Sequence, residues 1–81
     1  MTSLAGWIDG VWIHSNDETQ TCKFWIRDDW IWGPVGADDV TTRYWIADGW
    51  IWNAGEGDAR TGYYIQDGFI FGPNPKLPFA R

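Results

Sequence analysis

Tyr44-Trp45-Ile46-Ala47-Asp48-Gly49-Trp50-Ile51-Trp52 is the stretch that decides how this chain folds, because it recurs. It returns as Phe24-Trp25-Ile26-Arg27-Asp28-Asp29-Trp30-Ile31-Trp32 and as Tyr63-Tyr64-Ile65-Gln66-Asp67-Gly68-Phe69-Ile70-Phe71. A shortened copy, Trp7-Ile8-Asp9-Gly10-Val11-Trp12, opens the chain. The copies start about twenty residues apart, the mark of a protein built by repeating one small unit.

Asp-Gly between two apolar runs signals a tight β-hairpin, since a two-residue type I′ turn needs positive φ at both central positions. Turns are therefore expected at Asp9-Gly10, Asp48-Gly49 and Asp67-Gly68, with Asp28-Asp29 in the second copy. Asp29 occupies a position that favours Gly, so its turn should be the most strained.

Fixing the turns fixes the pairing. Ile46 should face Ile51 and Trp45 face Trp52; Ile26 should face Ile31 and Trp25 face Trp32; Ile65 should face Ile70 and Tyr64 face Phe71. In the first copy this register sets Ile8 against Val11 and Trp7 against Trp12. By parity all eight Trp then fall on one face, and the paired aliphatics, Val11 included, fall on the other. Extending the first strands upstream adds Val40, Thr42 and Tyr44, Cys22 and Phe24, and Thr61 and Tyr63 to the aliphatic face. It adds Lys23 and Arg43 to the Trp face.

The expected fold is all-β, four tandem hairpins making about eight short antiparallel strands, with no helix longer than a turn. Repeats cover approximately 5–18, 19–38, 39–58 and 59–72 of a single domain, followed by a Pro-rich tail at 73–81. The hairpins either close into a small pseudo-fourfold barrel or prism, or stack as an open repeat sheet. The aliphatic face is expected inside, because β-branched pairs pack well on a pleated surface; indoles inside is the rival. Leu77 and Phe79 are expected to fold back from the tail as a cap.

Composition narrows the function. Eleven acids against six bases give a net charge of −5, which disfavours a phosphate backbone or an anionic membrane surface as partner. No apolar run reaches the length of a membrane-spanning helix, and the first residues lack the pattern of a secretion signal. The expected location is cytoplasmic, or outside the cell after release without a signal. One cysteine, Cys22, allows no internal disulfide and reads as a small buried hydrophobe.

Chemistry has few candidates. His14 is the only histidine and reads as a strand-end residue rather than a base. One Cys and one His do not make a zinc site. The loop Asn53-Ala54-Gly55-Glu56-Gly57-Asp58 alternates oxygen ligands as a Ca²⁺ loop does, but it matches no complete EF-hand and reads as a polar connector. No catalytic residue, metal or cofactor is assigned, and the chain is expected not to be an enzyme.

The Trp face remains. A contiguous aromatic patch on a small soluble protein needs covering. Trp7, Trp12, Trp25, Trp30, Trp32, Trp45, Trp50, Trp52 and Tyr64, with Arg27 and Arg43 beside them, are the candidate association or ligand residues. Packing within the chain or against another copy is the first expectation, and the reading adopted is the second, a homo-oligomer. Stacking of indole faces on the rings of a polysaccharide, with Arg27, Arg43, Lys23 and Gln66 bonding hydroxyls, is the alternative.

Tandem aromatic hairpins of this length resemble the choline- and cell-wall-binding repeats of bacterial surface proteins and phage lysins. The likeness covers the hairpin rhythm from Trp7 to Phe71 and the Gly-Trp pairs at Gly6-Trp7 and Gly49-Trp50. Those repeats usually set Gly-Trp and a Trp-Tyr-Tyr run on either side of the turn, whereas Tyr63-Tyr64 here lies on the other strand. The resemblance implies glycan binding in clefts between repeats and assigns no role to individual residues.

Overall fold

A computed structural model describes residues 2–20, 23–36 and 41–79. Eight strands run β1 Ser3–Asp9, β2 Trp12–Ser15, β3 Phe24–Arg27, β4 Trp30–Trp32, β5 Thr41–Ala47, β6 Trp50–Asn53, β7 Ala59–Gln66 and β8 Phe69–Gly72, with one 3₁₀ turn at Ala54–Glu56. Each pairs antiparallel with its neighbours in sequence, and β1 pairs with β8. The sheet is thus a closed up-and-down barrel, and the open stacked arrangement is not formed. Four hairpin turns crowd one end. The connectors and the tail lie at the other.

Beside the ladders, one hydrogen bond repeated four times ties each hairpin to the next. The second residue of each turn offers its carbonyl to an Ile amide in the first strand of the next hairpin. Val11 O accepts from Ile26 N at 2.8 Å; Asp29 O from Ile46 N, Gly49 O from Ile65 N and Gly68 O from Ile8 N, each at 2.7 Å. The last of these returns the chain to its start, and the molecule is pseudo-fourfold about the barrel axis.

Aliphatic side chains fill the inside. Ile13, Ile31, Ile51 and Ile70 are each 0 % exposed, and Ile8, Ile26, Ile46 and Ile65 pack against them. An eight-stranded barrel is just wide enough for such side chains to fill, so two rings of Ile leave no room for indoles. Nearer the connector end the equivalent core positions hold Phe24, Tyr44 and Tyr63, but in the first hairpin Gly6. Leu77 of the tail supplies the missing bulk, its Cδ2 lying 3.2 Å from where a Gly6 Cβ would stand. Phe79 then packs edge-on against Phe24 at 5.0 Å and tilted against Tyr44 at 5.6 Å. The tail is a cap, as its composition suggested.

The first hairpin corrects the sequence register. Its turn is Gly10-Val11, not Asp9-Gly10, so Ile8 faces Ile13 rather than Val11, and Trp7 faces His14 rather than Trp12. Only Gly10 (φ 64°) has positive φ there, as in a type II′ turn, whereas Asp48 (55°) and Gly49 (78°) both do, as in type I′. Val11 is consequently an exposed turn residue and not part of the aliphatic layer. The first copy is full length, and His14 occupies the place of Trp32 and Trp52. Sorting of the faces survives because the pairing moves by two residues, one full side-chain period.

Regular extension of the first strands is also corrected. Bulges interrupt β5 and β7 where Arg43 (φ 68°) and Gly62 (φ 87°) take left-handed conformations. At each bulge a threonine hydroxyl replaces a ladder bond: Thr42 Oγ1 donates to Ile31 O at 2.8 Å and Thr61 Oγ1 to Ile51 O at 2.7 Å. The upstream residues Cys22 and Val40 lie outside the described residues.

Candidate functional site

Outward-facing positions form a belt, three to a hairpin. The first strand contributes Trp7, Trp25, Trp45 or Tyr64, and the second contributes Trp12, Trp30, Trp50 or Phe69, then His14, Trp32, Trp52 or Phe71. All eight Trp of the chain are in it. Within each hairpin the first and third members face each other: Trp7–His14, Trp25–Trp32, Trp45–Trp52 and Tyr64–Phe71. Between hairpins the second member meets the next first: Trp12–Trp25, Trp30–Trp45, Trp50–Tyr64 and, across the closure, Phe69–Trp7.

The rings use their faces on one another. Trp7 stacks on His14 with centroids 5.3 Å apart and planes at 21°, Trp45 on Trp52 at 5.5 Å and 17°, and Tyr64 on Phe71 at 5.5 Å and 27°. Contacts between hairpins are more inclined, 61° for Trp12–Trp25, 41° for Trp30–Trp45 and 56° for Trp50–Tyr64. Stacked and edge-on geometries suit the ring quadrupole and stabilise each pair by about 0.5–1.5 kcal/mol beyond area burial.

Polar groups lock part of the belt. Trp32 Nε1 donates to Arg27 O at 3.1 Å, and Trp52 Nε1 donates to the equivalent Ala47 O at 3.2 Å. Trp45 Nε1 donates to Asp58 Oδ1 at 3.1 Å. Arg27 lies 5.7 Å from the Trp32 ring centre. Arg60 covers two rings, 4.8 Å from Trp50 and 5.3 Å from Trp52. Trp52 is thus layered between Trp45 and a guanidinium.

Coverage is uneven around the barrel. Near the closure, Trp7 (39 %), Trp12 (43 %), Phe69 (46 %) and Val11 (53 %) are among the most exposed large apolar residues. Phe69 is directly opposite Trp7. Trp12 is diagonal to Trp7 across the first hairpin, about 7–8 Å away. Asp9, between Trp7 and Trp12 on the same face, and Asp67 in the turn before Phe69 edge this sector with carboxylates.

Of the residues singled out from sequence, the eight Trp, Tyr64 and Arg27 are in one continuous structure. Arg43 is at the β5 bulge, exposed, and the cation over the neighbouring indoles is Arg60. Sequence reading missed Arg60, His14, Phe69 and Phe71 as belt members. The signal was present, because strand parity upstream of Ile65 puts Arg60 on the Trp face and hairpin pairing puts Phe69 and Phe71 there. His14 was hidden by the misplaced first turn. The oxygens of the 53–58 loop have internal uses: Asn53 Oδ1 caps Gly55 N at 2.9 Å, and Asp58 holds Trp45. Among the described residues no three His, Cys, Asp or Glu side chains come together.

Comparison with known protein families, characterised proteins and solved structures finds no match to this chain.

Proposed function

We propose that this protein is a non-enzymatic association module that assembles with copies of itself through its outer belt, in contact at the sector of Trp7, Val11, Trp12 and Phe69. One observation carries this reading. The same ring positions recur around the barrel, yet Trp7, Val11, Trp12 and Phe69, 39–53 % exposed, gather at the closure, whereas elsewhere guanidinium groups lie over Trp32, Trp50 and Trp52 and only Trp30, at 37 %, is comparably exposed among the described belt rings. A contiguous exposed apolar patch of this kind marks an interaction surface. Closure of the ladder leaves side chains, not strand edges, as the means of association.

Electrostatics sets the conditions. Each copy carries −5, and Asp9, Asp28, Asp29, Asp48 and Asp67 crowd the turn end beside the patch. Approach of two copies is opposed by like charge, so association strengthens with salt. Light scattering across a concentration series in low and high salt tests this. The expected result is a mass that rises with both, and that returns to monomer in a folded Trp7→Ser, Phe69→Ser chain. A monomer under every condition overturns the reading.

Glycan binding is the second reading, supported by Arg60 and Asp58 beside Trp45, Trp50 and Trp52. It is weaker because stacking engages the very ring faces a sugar would use. Titration of polysaccharides against Trp emission tests it, and an unchanged spectrum with every glycan class rejects it.

A further inference from the structure

We infer that the connector-end mouth of the barrel is a peptide-binding site, that residues 76–79 are its tethered ligand, and that the ligand it accepts in trans is the same segment of a second copy. The inference does not depend on association through the belt.

The mouth is built to take a side chain that its own strands do not provide. Phe24, Tyr44 and Tyr63 line three sides, and the fourth holds Gly6, where a Cβ would stand 2.2 Å from His14 O. No side chain on β1 can fill that place, so Leu77 fills it from outside the sheet. Phe79 adds a second anchor on Phe24 and Tyr44.

Recognition extends to the backbone of the tail. Gln20 Oε1 accepts from Leu77 N at 3.0 Å, and Gln20 Nε2 donates to Leu77 O at 3.3 Å. One amide side chain therefore reads both peptide groups of the residue, as a neighbouring strand would. Ser15 Oγ donates to the same Gln20 Oε1 at 2.6 Å and holds it in place. Tyr63 OH donates to Lys76 O at 2.9 Å, and Lys76 Nζ reaches Asp17 at 3.5 Å. The ligand class is a short peptide that turns after its second residue: a cation, an aliphatic residue, a spacer and an aromatic.

The tether is separable from the ligand. Pro73, Asn74 and Pro75 are exposed, and the chain bends through all three. The contacts named above, with Gly6, Asp17, Gln20, Phe24, Tyr44 and Tyr63, are all with barrel or loop residues that a second copy presents identically. Exchange of tails between copies therefore keeps all of them, which is the condition for domain swapping.

The test uses full-length chains that all carry Trp7→Ser and Phe69→Ser, so that the belt cannot contribute. An acceptor chain also carries Leu77→Ala and Phe79→Ala, which empties the mouth. Its folding is checked by circular dichroism, and Phe79→Ala alone, which leaves Leu77 in place and opens only the part of the mouth beside Phe24 and Tyr44, serves if the pair fails to fold. A fluorescent peptide of the sequence of residues 73–79 is titrated against it. The expected affinity is at least tenfold above that of the chain with its tail intact, and adding Gln20→Ala to the acceptor lowers it about tenfold. The acceptor mixed with the tail-intact chain is then expected to give a 1:1 complex at high concentration. Equal binding to both chains, no binding to a folded acceptor, or failure of even Phe79→Ala to fold each overturns the site. Peptide binding without a chain–chain complex overturns exchange between copies.

Discussion

Asp29 stands in a left-handed conformation (φ 66°) at a position where Gly49 and Gly68 serve the equivalent turns. Asp tolerates that region less well than Gly. Asp29→Gly is expected to raise stability by a few tenths to about 1 kcal/mol, read as a higher denaturation midpoint. Gly72 is the reverse case. A Cβ there would lie 2.1 Å from the Tyr63 ring, which is buried against the tail. Gly72→Ala is expected to cost about 1–3 kcal/mol through overpacking, measured by urea unfolding. Asp17 gives a pH dependence. Hydrogen bonds from Thr19 N and Oγ1, then the charge of Lys76, hold its carboxyl below the ordinary 3.8. A depressed folded-state pKa means stability that is present above the unfolded value and lost as pH falls through the folded one. The stability advantage of the native chain over Asp17→Asn should therefore be present at neutral pH and vanish on acidification below that range.

At the scale of the hairpin, the indole of the third belt position fastens the strand pair. Trp52 Nε1 bonds Ala47 O across the hairpin end, and Trp32 Nε1 bonds Arg27 O in the same way. In the fourth hairpin the position is Phe71, which keeps the stacking and has no N–H to donate. Trp52→Phe is expected to cost about 0.5–1.5 kcal/mol, the net value of one hydrogen bond, with the barrel otherwise intact by circular dichroism. Proline follows Gly33 and Gly72 and ends each strand, because it lacks the ladder donor. The structure adds why glycine precedes it: the ring of Phe24 or Tyr63 occupies the space a Cβ would need.

The whole molecule is a ring closed by the β1–β8 ladder, and four equivalent hydrogen bonds, none within a single hairpin, tie each hairpin to the next. A barrel this small has four side chains in each layer, one from every second strand, so every layer must be complete. Leu77 completes the one that Gly6 leaves open. Leu77→Ala is expected to destabilise the full barrel by about 2–5 kcal/mol, the range for emptying a buried aliphatic site, and to act on all hairpins together in a single cooperative transition.

Periodicity within each copy was enough to set the strands, three of the four turns and the sorting of Ile from Trp, because these depend on contacts across one or two residues of ladder. In the first copy the Asp-Gly signal put the turn one residue early, at Asp9-Gly10. Only the fold chose Gly10-Val11, since that register sets Ile13 against Ile8 and aims Val11 O at Ile26 N of the next hairpin. Likewise Arg60 meets Trp50 and Trp52, and Leu77 meets Gly6, across boundaries between repeats and from opposite ends of the chain. Local spacing reports which side of a strand a residue occupies. Which rings Arg60 covers is decided by the pairing of β6 with β7, and what fills the mouth is decided by closure, because only a ring brings the first and last strands together.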